Sequence, residues 1–149
     1  MNMIKNLILD GHDLVYLSNK AKKETVRYLM PGVKIILEEL SRHYKIFILS
    51  DGGATPEEKN YSMKNMGISH LLSGLLCTQY DIGMRKKDSP EAFKIALKKW
   101  KLKIEETIFI SHDEQETRNA EIAGMKTILI NDLRNLNLKN YLMKDNMKE

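Results

Sequence analysis

Several polar residues stand directly after apolar runs, and their types could together move an acyl or phosphoryl group. Asp10 closes Asn6-Leu7-Ile8-Leu9-Asp10, Ser50 closes Lys45-Ile46-Phe47-Ile48-Leu49-Ser50, and His112 and Asp113 follow Thr107-Ile108-Phe109-Ile110-Ser111. A carboxylate at the tip of a strand can attack phosphorus and form an acyl-phosphate, which splits one difficult hydrolysis into two easier steps. A hydroxyl such as that of Ser50, with the backbone N–H groups that follow it, can hold the oxygens of the transferring group. Lys86 and Lys87, ahead of Ser89-Pro90-Glu91, offer a cation to balance nucleophile and phosphate. His12, two residues after Asp10, could donate and accept protons, because an imidazole titrates near neutrality. Each residue also has a plain structural reading: a strand-end acid making a turn, a small residue at a strand exit, a solvated lysine pair.

The elements that must position these residues alternate along the chain. The apolar runs at 6–10, 45–50 and 107–111 read as buried strands, joined by weaker candidates at 74–77 and 127–130. Between them lie helical patterns. Pro31 is expected at the first position of a helix running to about Arg42, whose Val33, Ile36, Leu37 and Leu40 recur at helical spacing. Thr55-Pro56-Glu57-Glu58 reads as N-cap, first-turn proline and capping-box glutamate, with Gly67 closing that helix. Ser89-Pro90-Glu91 opens another helix, and a further one ends at Ala123-Gly124. Continuous apolar strands separated by amphipathic helices imply a parallel sheet covered on both faces. Ligands bind such sheets at the carboxyl ends of the strands, where Asp10, Ser50 and the segment after Ser111 would converge. Residues 11–30 read as an irregular stretch.

Composition bounds the function classes. With 149 residues, 42% hydrophobic and 30% charged, the chain fits one globular domain that can bury a core without disulfides. Its lone cysteine, Cys77, rules out an intrachain disulfide and CxxC metal spacing, which suits a reducing, cytoplasmic setting. The apolar run at residues 7–9 is too short for a signal segment or a membrane span. A net charge of +4 raises nucleic acid as a partner. The densest basic stretch is Lys98, Lys99, Lys101 and Lys103 around Trp100. It reads instead as a solvated helix end that complements the macrodipole, with Trp100 turned inward, so nucleic acid is set aside.

Taken in order, Leu7-Ile8-Leu9-Asp10, Pro31-Gly32-Val33, Phe47-Ile48-Leu49-Ser50, Lys87 before Pro90-Glu91-Ala92-Phe93, and Ala123-Gly124-Met125 resemble the motifs of the haloacid dehalogenase superfamily. The resemblance spans residues 4–131 and implies an α/β, Rossmann-like three-layer sandwich with a central parallel sheet of about five strands. It implies one domain over residues 1–149, with a tail from about residue 134 that is helical or loosely packed. By the same resemblance Asp10 is the nucleophile, Ser50 the oxygen-holding hydroxyl, and Lys87 the balancing cation, with the adjacent Lys86 as the alternative. The gaps from Asp10 to Pro31 and from Ser50 to Lys87 leave no room for a cap domain. The site should therefore be open, suited to a large phosphorylated substrate, a protein partner or a second subunit.

The departures carry as much weight. The family's phosphatases have an aspartate two residues after the nucleophile, where this chain has His12 as the candidate acid and base. His112 stands where the family has its magnesium-binding aspartate, followed by Asp113 and, at the next acidic position, Glu116. The resemblance implies Mg2+ held around Asp10, His12, His112 and Asp113. A histidine there favours a softer ion, Mn2+ or Zn2+, or no metal. The leading reading is a phosphatase acting through an aspartyl-phosphate. Against it stands a catalytically degenerate member that keeps the fold as a binding or regulatory module. A receiver-like signalling domain and a dehalogenase rank below both.

Overall fold

Strands form where apolar residues run unbroken, and helices where they recur every three or four positions. The computed structural model describes residues 3–21 and 24–142. The elements are β1 (Asn6–Asp10), β2 (Tyr16–Ala21), β3 (Glu24–Leu29), α1 (Val33–Ser41), β4 (Lys45–Ser50), α2 (Pro56–Asn65), β5 (Gly74–Cys77), α3 (Glu91–Trp100), β6 (Thr107–Ser111), α4 (Glu114–Ile122) and β7 (Lys126–Leu129). Five strands make one sheet in the order β5-β4-β1-β6-β7, every pairing parallel, while β2 and β3 pair as a separate antiparallel hairpin.

Alternation along each strand builds two cores. Leu7 and Leu9 join Ile46, Ile48, Ile108 and Ile110 beneath Val33 and Leu37 of α1 and Met63 of α2. Ile8 joins Phe47, Leu49 and Phe109 on the other face, against Phe93, Ala96 and Leu97 of α3 and Ala120 of α4. Each fully buried Leu, Ile or Phe contributes about 1.5–3 kcal/mol, so the sheet interior dominates stability. Trp100 turns inward as expected, its ring 4.8 Å from that of Phe47. The three-layer, Rossmann-like α/β sandwich with a five-stranded parallel sheet is the expected architecture.

Chain order places the site. From β1 the chain moves to β4 and β5 on one side, then crosses back to β6 and β7 on the other. Such a reversal opens a crevice at the carboxyl end of the central strand, here at Asp10.

Two local expectations are corrected. Pro31 lies outside α1, because Gly32 takes the N-cap position with φ 76°, and the helix begins at Val33. A left-handed turn residue must precede the helix there, and glycine reaches that conformation without strain. The stretch expected to be irregular contains the β2–β3 hairpin, with Tyr16 paired to Leu29 and Ser18 to Arg27. Its strands lack regular apolar alternation and rest one end on the domain, so no period-two signal marks them. Among the described residues, the segment between Leu14 and Met30 holds this hairpin and no further domain. Leu133 and Leu138 of the expected tail are buried in the first core, and the tail beyond Leu142 lies outside the described residues.

Candidate active site

Asp10 ends β1 and is 5% exposed, which would by itself favour the neutral acid. Lys86 Nζ donates to Asp10 Oδ1 at 2.6 Å and to the carbonyl of Leu49. The imidazole of His112 lies with Nε2 3.1 Å from Asp10 Oδ2. Burial pushes the Asp10 pKa up, but Lys86 and His112 more than reverse it and hold it down at about 2. A buried carboxylate is thus kept ionised by the Lys86 ammonium at one oxygen and the His112 imidazole at the other.

Lys86 is fully buried and also lies 3.2 Å from Glu116 Oε1. Burial acts to lower its pKa, and Asp10, Glu116 and Asp51 together raise it, so the ammonium persists. Its backbone is fixed as well: Asp51 Oδ1 accepts the Lys86 N–H at 3.1 Å, and Asn119 Nδ2 donates to the Lys86 carbonyl at 2.9 Å. Asp51 thereby braces this loop. Glu116 shares the Lys86 ammonium with Asp10. Burial first, then the nearby charges of Asp10 and Asp51, lift its pKa to about 7 against the opposing pull of Lys86.

Of the two adjacent lysines, Lys86 and not Lys87 contacts Asp10. Lys86 and Lys87 are the central residues of a turn in which Asp88 N–H donates to the Arg85 carbonyl at 3.0 Å. Lys86 enters the floor of the site, whereas Lys87 is half-exposed and pairs with Asp113 at 3.0 Å. Ser50 is not among the residues that line the cavity. Its hydroxyl is buried and lies 2.9 Å from Tyr16 Oη and 3.0 Å from Lys59 Nζ, behind the pocket wall. Lys59 Nζ also donates to Tyr16 Oη at 2.7 Å and itself lines the pocket.

The turn after β1 is short and over-determined. Leu14, Val15 and Tyr16 all donate their N–H groups to the Gly11 carbonyl, and Asp13 adopts φ 68°. A Cβ at Gly11 would meet Tyr16 Oη at 2.7 Å, so the fully buried Tyr16 requires glycine there. This turn holds His12 half-exposed, its Nδ1 3.1 Å from Asp13 Oδ2. A carboxylate on Nδ1 orients the ring and leaves Nε2 for proton exchange.

Asp10, His12, Asp13, Arg27, Asp51, Lys59, His112 and Glu116 line a single cavity of about 480 Å³. Fit to a magnesium ion is poor as these donors stand. Both oxygens of Asp10 are engaged, one by the Lys86 ammonium and one by the His112 imidazole, and among the described residues no group of three or more His, Cys, Asp or Glu is set to hold an ion. Asp113 does not turn toward Asp10. It is the N-cap of α4, with Oδ1 accepting from Glu116 N–H at 3.0 Å, and burial is outweighed by that bond and by Lys87 in keeping its pKa low. The expected ligand set of Asp10, His12, His112 and Asp113 is therefore not brought together around one point.

Sequence reasoning missed Lys59, Tyr16 and Arg27. For Lys59 a signal existed: it shares the spacing of Ser62 and Met63, the inward face of α2. A lysine in that stripe is unusual enough to mark a site.

Fold and site together define a Rossmann-like α/β protein with a buried carboxylate at the strand-order reversal. A family model of haloacid dehalogenase-like hydrolases matches residues 4–130, and the chain belongs to that family. No curated protein matches the sequence. Among solved structures, a Listeria monocytogenes serotype 4b protein superposes with TM-score 0.74 at 18% identity, covering 85% of this chain and 78% of that one. A Bacteroides thetaiotaomicron family enzyme, an Asp-to-Ala mutant in complex with magnesium and inorganic phosphate, gives TM-score 0.67 at 14% identity over 85% and 93%. A predicted phosphoglycolate phosphatase of Haemophilus somnus gives TM-score 0.58 at 23% identity over 70% and 45%.

Proposed function

We propose that this protein hydrolyses a phosphate ester through an aspartyl-phosphate formed on Asp10. The observation that carries the reading is a buried Asp10 carboxylate held ionised by Lys86 and His112 at the floor of a solvent-reachable cavity. An Asp10 oxygen attacks phosphorus, the ester P–O bond breaks, and the departing oxygen takes a proton from His12 Nε2. His12 then removes a proton from water, which cleaves the acyl-phosphate and restores Asp10. Lys86 neutralises charge on the nucleophile throughout. In this scheme Lys86 takes the role that the sequence placed on Lys87.

The phosphate complex of the Bacteroides relative and the name of the Haemophilus relative support a phosphorylated substrate. Val26 and Tyr28 are exposed on the face of β3 opposite the cavity-lining Arg27, an apolar surface that suits a protein partner. One buried free cysteine, Cys77, suits a reducing cytoplasm. A second reading rests on His112: an imidazole seated on Asp10 Oδ2 occludes the nucleophile, as a degenerate binding module would allow. Turnover of p-nitrophenyl phosphate by the wild type and Asp10→Asn separates the two. Activity lost in the variant, with a phosphate adduct trapped on the Asp10 peptide of the wild type, supports hydrolysis. No turnover by either favours the module.

A further inference from the structure

We infer that Arg27 and Lys59 form a binding site for a second anionic group of the substrate, a carboxylate or phosphate, on the hairpin side of the Asp10 cavity. The inference rests on reading that cavity as a phosphate-ester site.

Two cations from different elements meet there without a counter-ion. Lys59, on α2, is 4% exposed, and its ammonium donates only to the neutral hydroxyls of Tyr16 and Ser50, with the Tyr16 ring centroid 5.0 Å away. An ammonium has three N–H groups, so one is left for a ligand. Arg27, on β3, donates from Nη1 to Ser62 Oγ at 3.0 Å. Its Nε is the only buried side-chain nitrogen or oxygen among the described residues that has no hydrogen-bond partner. Ser62 lies one helical turn from Lys59 on the same face of α2, which brings the two cations to one part of the cavity wall, and both line the cavity. Neither forms an ion pair among the described residues.

An unpaired guanidinium N–H and a buried ammonium are both unfavourable unless an acceptor arrives. Arginine presents a planar fork that matches the two oxygens of a carboxylate or phosphate, and the spare Nε edge has that geometry. The cavity's own acids do not answer the need. Asp10 and Glu116 are engaged by Lys86, Asp113 by Lys87, Asp13 by His12, and Asp51 by Thr78 and the Lys86 backbone. The negative lining is compensated, whereas the hairpin side is purely cationic. A substrate with one phosphate over Asp10 and a second oxyanion beyond it satisfies both halves.

Calorimetric titration of the full chain with methylphosphonate and with carboxyalkylphosphonates bearing one to three methylenes tests this. These probes share the non-hydrolysable phosphonate and differ in the second anion. The best-fitting carboxylate member should bind roughly tenfold or more tightly than methylphosphonate, the return expected from added charge-assisted bonds. Arg27→Met and Lys59→Met should each erase that advantage while leaving methylphosphonate affinity within about twofold, and Arg27→Lys should restore only part of it. Should Lys59→Met fail to fold, Arg27→Met decides alone. Equal affinity across the series, no binding of any member, or an advantage that survives both variants overturns the site. So does a Lys59→Met variant that loses methylphosphonate affinity but keeps the advantage, because Lys59 then serves the phosphate itself. Failure of the phosphatase reading shows differently, as p-nitrophenyl phosphate turnover indifferent to Asp10→Asn.

Discussion

The floor of the cavity and its hairpin side solve opposite electrostatic problems. On the floor, Lys86 sits between Asp10 and Glu116, and every charge has a partner within 3.2 Å. On the hairpin side, Lys59 and Arg27 touch only hydroxyls. A closed charge network fixes a reactive group in one protonation state. An open one is stabilised by whatever anion enters, so it confers preference rather than reactivity.

Breaking the floor should have the largest consequences. Asp10→Asn removes the proposed nucleophile and should lower the proposed phosphatase turnover by about a thousandfold or more, read with p-nitrophenyl phosphate at saturating concentration. Lys86→Met leaves two buried carboxylates without their cation, and urea unfolding should show a loss of about 3–5 kcal/mol. The neighbouring Lys87→Met removes only a half-exposed pair with Asp113 and should cost at most about 1 kcal/mol in the same assay. Equal losses from the two lysines would mean that the floor is not the closed network described.

Acidity sharpens the comparison next. Burial lifts the Glu116 pKa to about 7 in the fold, above its ordinary value of 4.5, and the hydrogen bond that His112 donates to Asp10 raises His112 as well. A raised group stabilises the fold below its unfolded pKa, and that contribution is lost as pH rises through the folded value. Both groups therefore predict a urea midpoint that falls from about pH 5 to about pH 8. Glu116→Gln should flatten most of that slope. Asp10 has the opposite sign: its lowered pKa contributes stability above 3.8, lost only as pH falls toward about 2. A midpoint that rises across the neutral range would contradict the assigned charges.

Metal dependence gives a subtler separation. With His112 on Asp10, chelation by EDTA should change wild-type turnover by less than about twofold, whereas His112→Asp restores an oxygen ligand and should introduce a magnesium requirement. A wild type inactivated by EDTA would show that His112 swings aside for an ion. The smallest effect belongs to the support of the cationic side. Thr55 accepts the Glu58 N–H at 3.2 Å at the start of α2, and Thr55→Ala should cost about 1 kcal/mol in urea unfolding without altering the floor.

Much of this was legible before any fold was drawn. The runs ending at Asp10, Ser50 and Ser111 are apolar enough to be strands buried on both faces, and Thr55-Pro56-Glu57-Glu58 announces its helix because capping is a local bargain between a side chain and nearby N–H groups. Those interactions span a few residues, so the sequence by itself determined the sheet, the helices and the placing of Asp10 at a strand tip. Which of two adjacent lysines reaches Asp10 was beyond it. Lys86 and Lys87 share one turn, and the choice depends on the Asp51 and Asn119 contacts that lock the Lys86 backbone from 35 and 33 residues away. The same holds for His112 against Asp10, which are neighbours only because β6 pairs with β1. Likewise Arg27 meets the Lys59 face of α2 through Ser62, across a hairpin without apolar alternation to betray it. Tertiary structure alone decided those meetings, because electrostatic partners are set by distance in space, and chain spacing encodes only the local part of it.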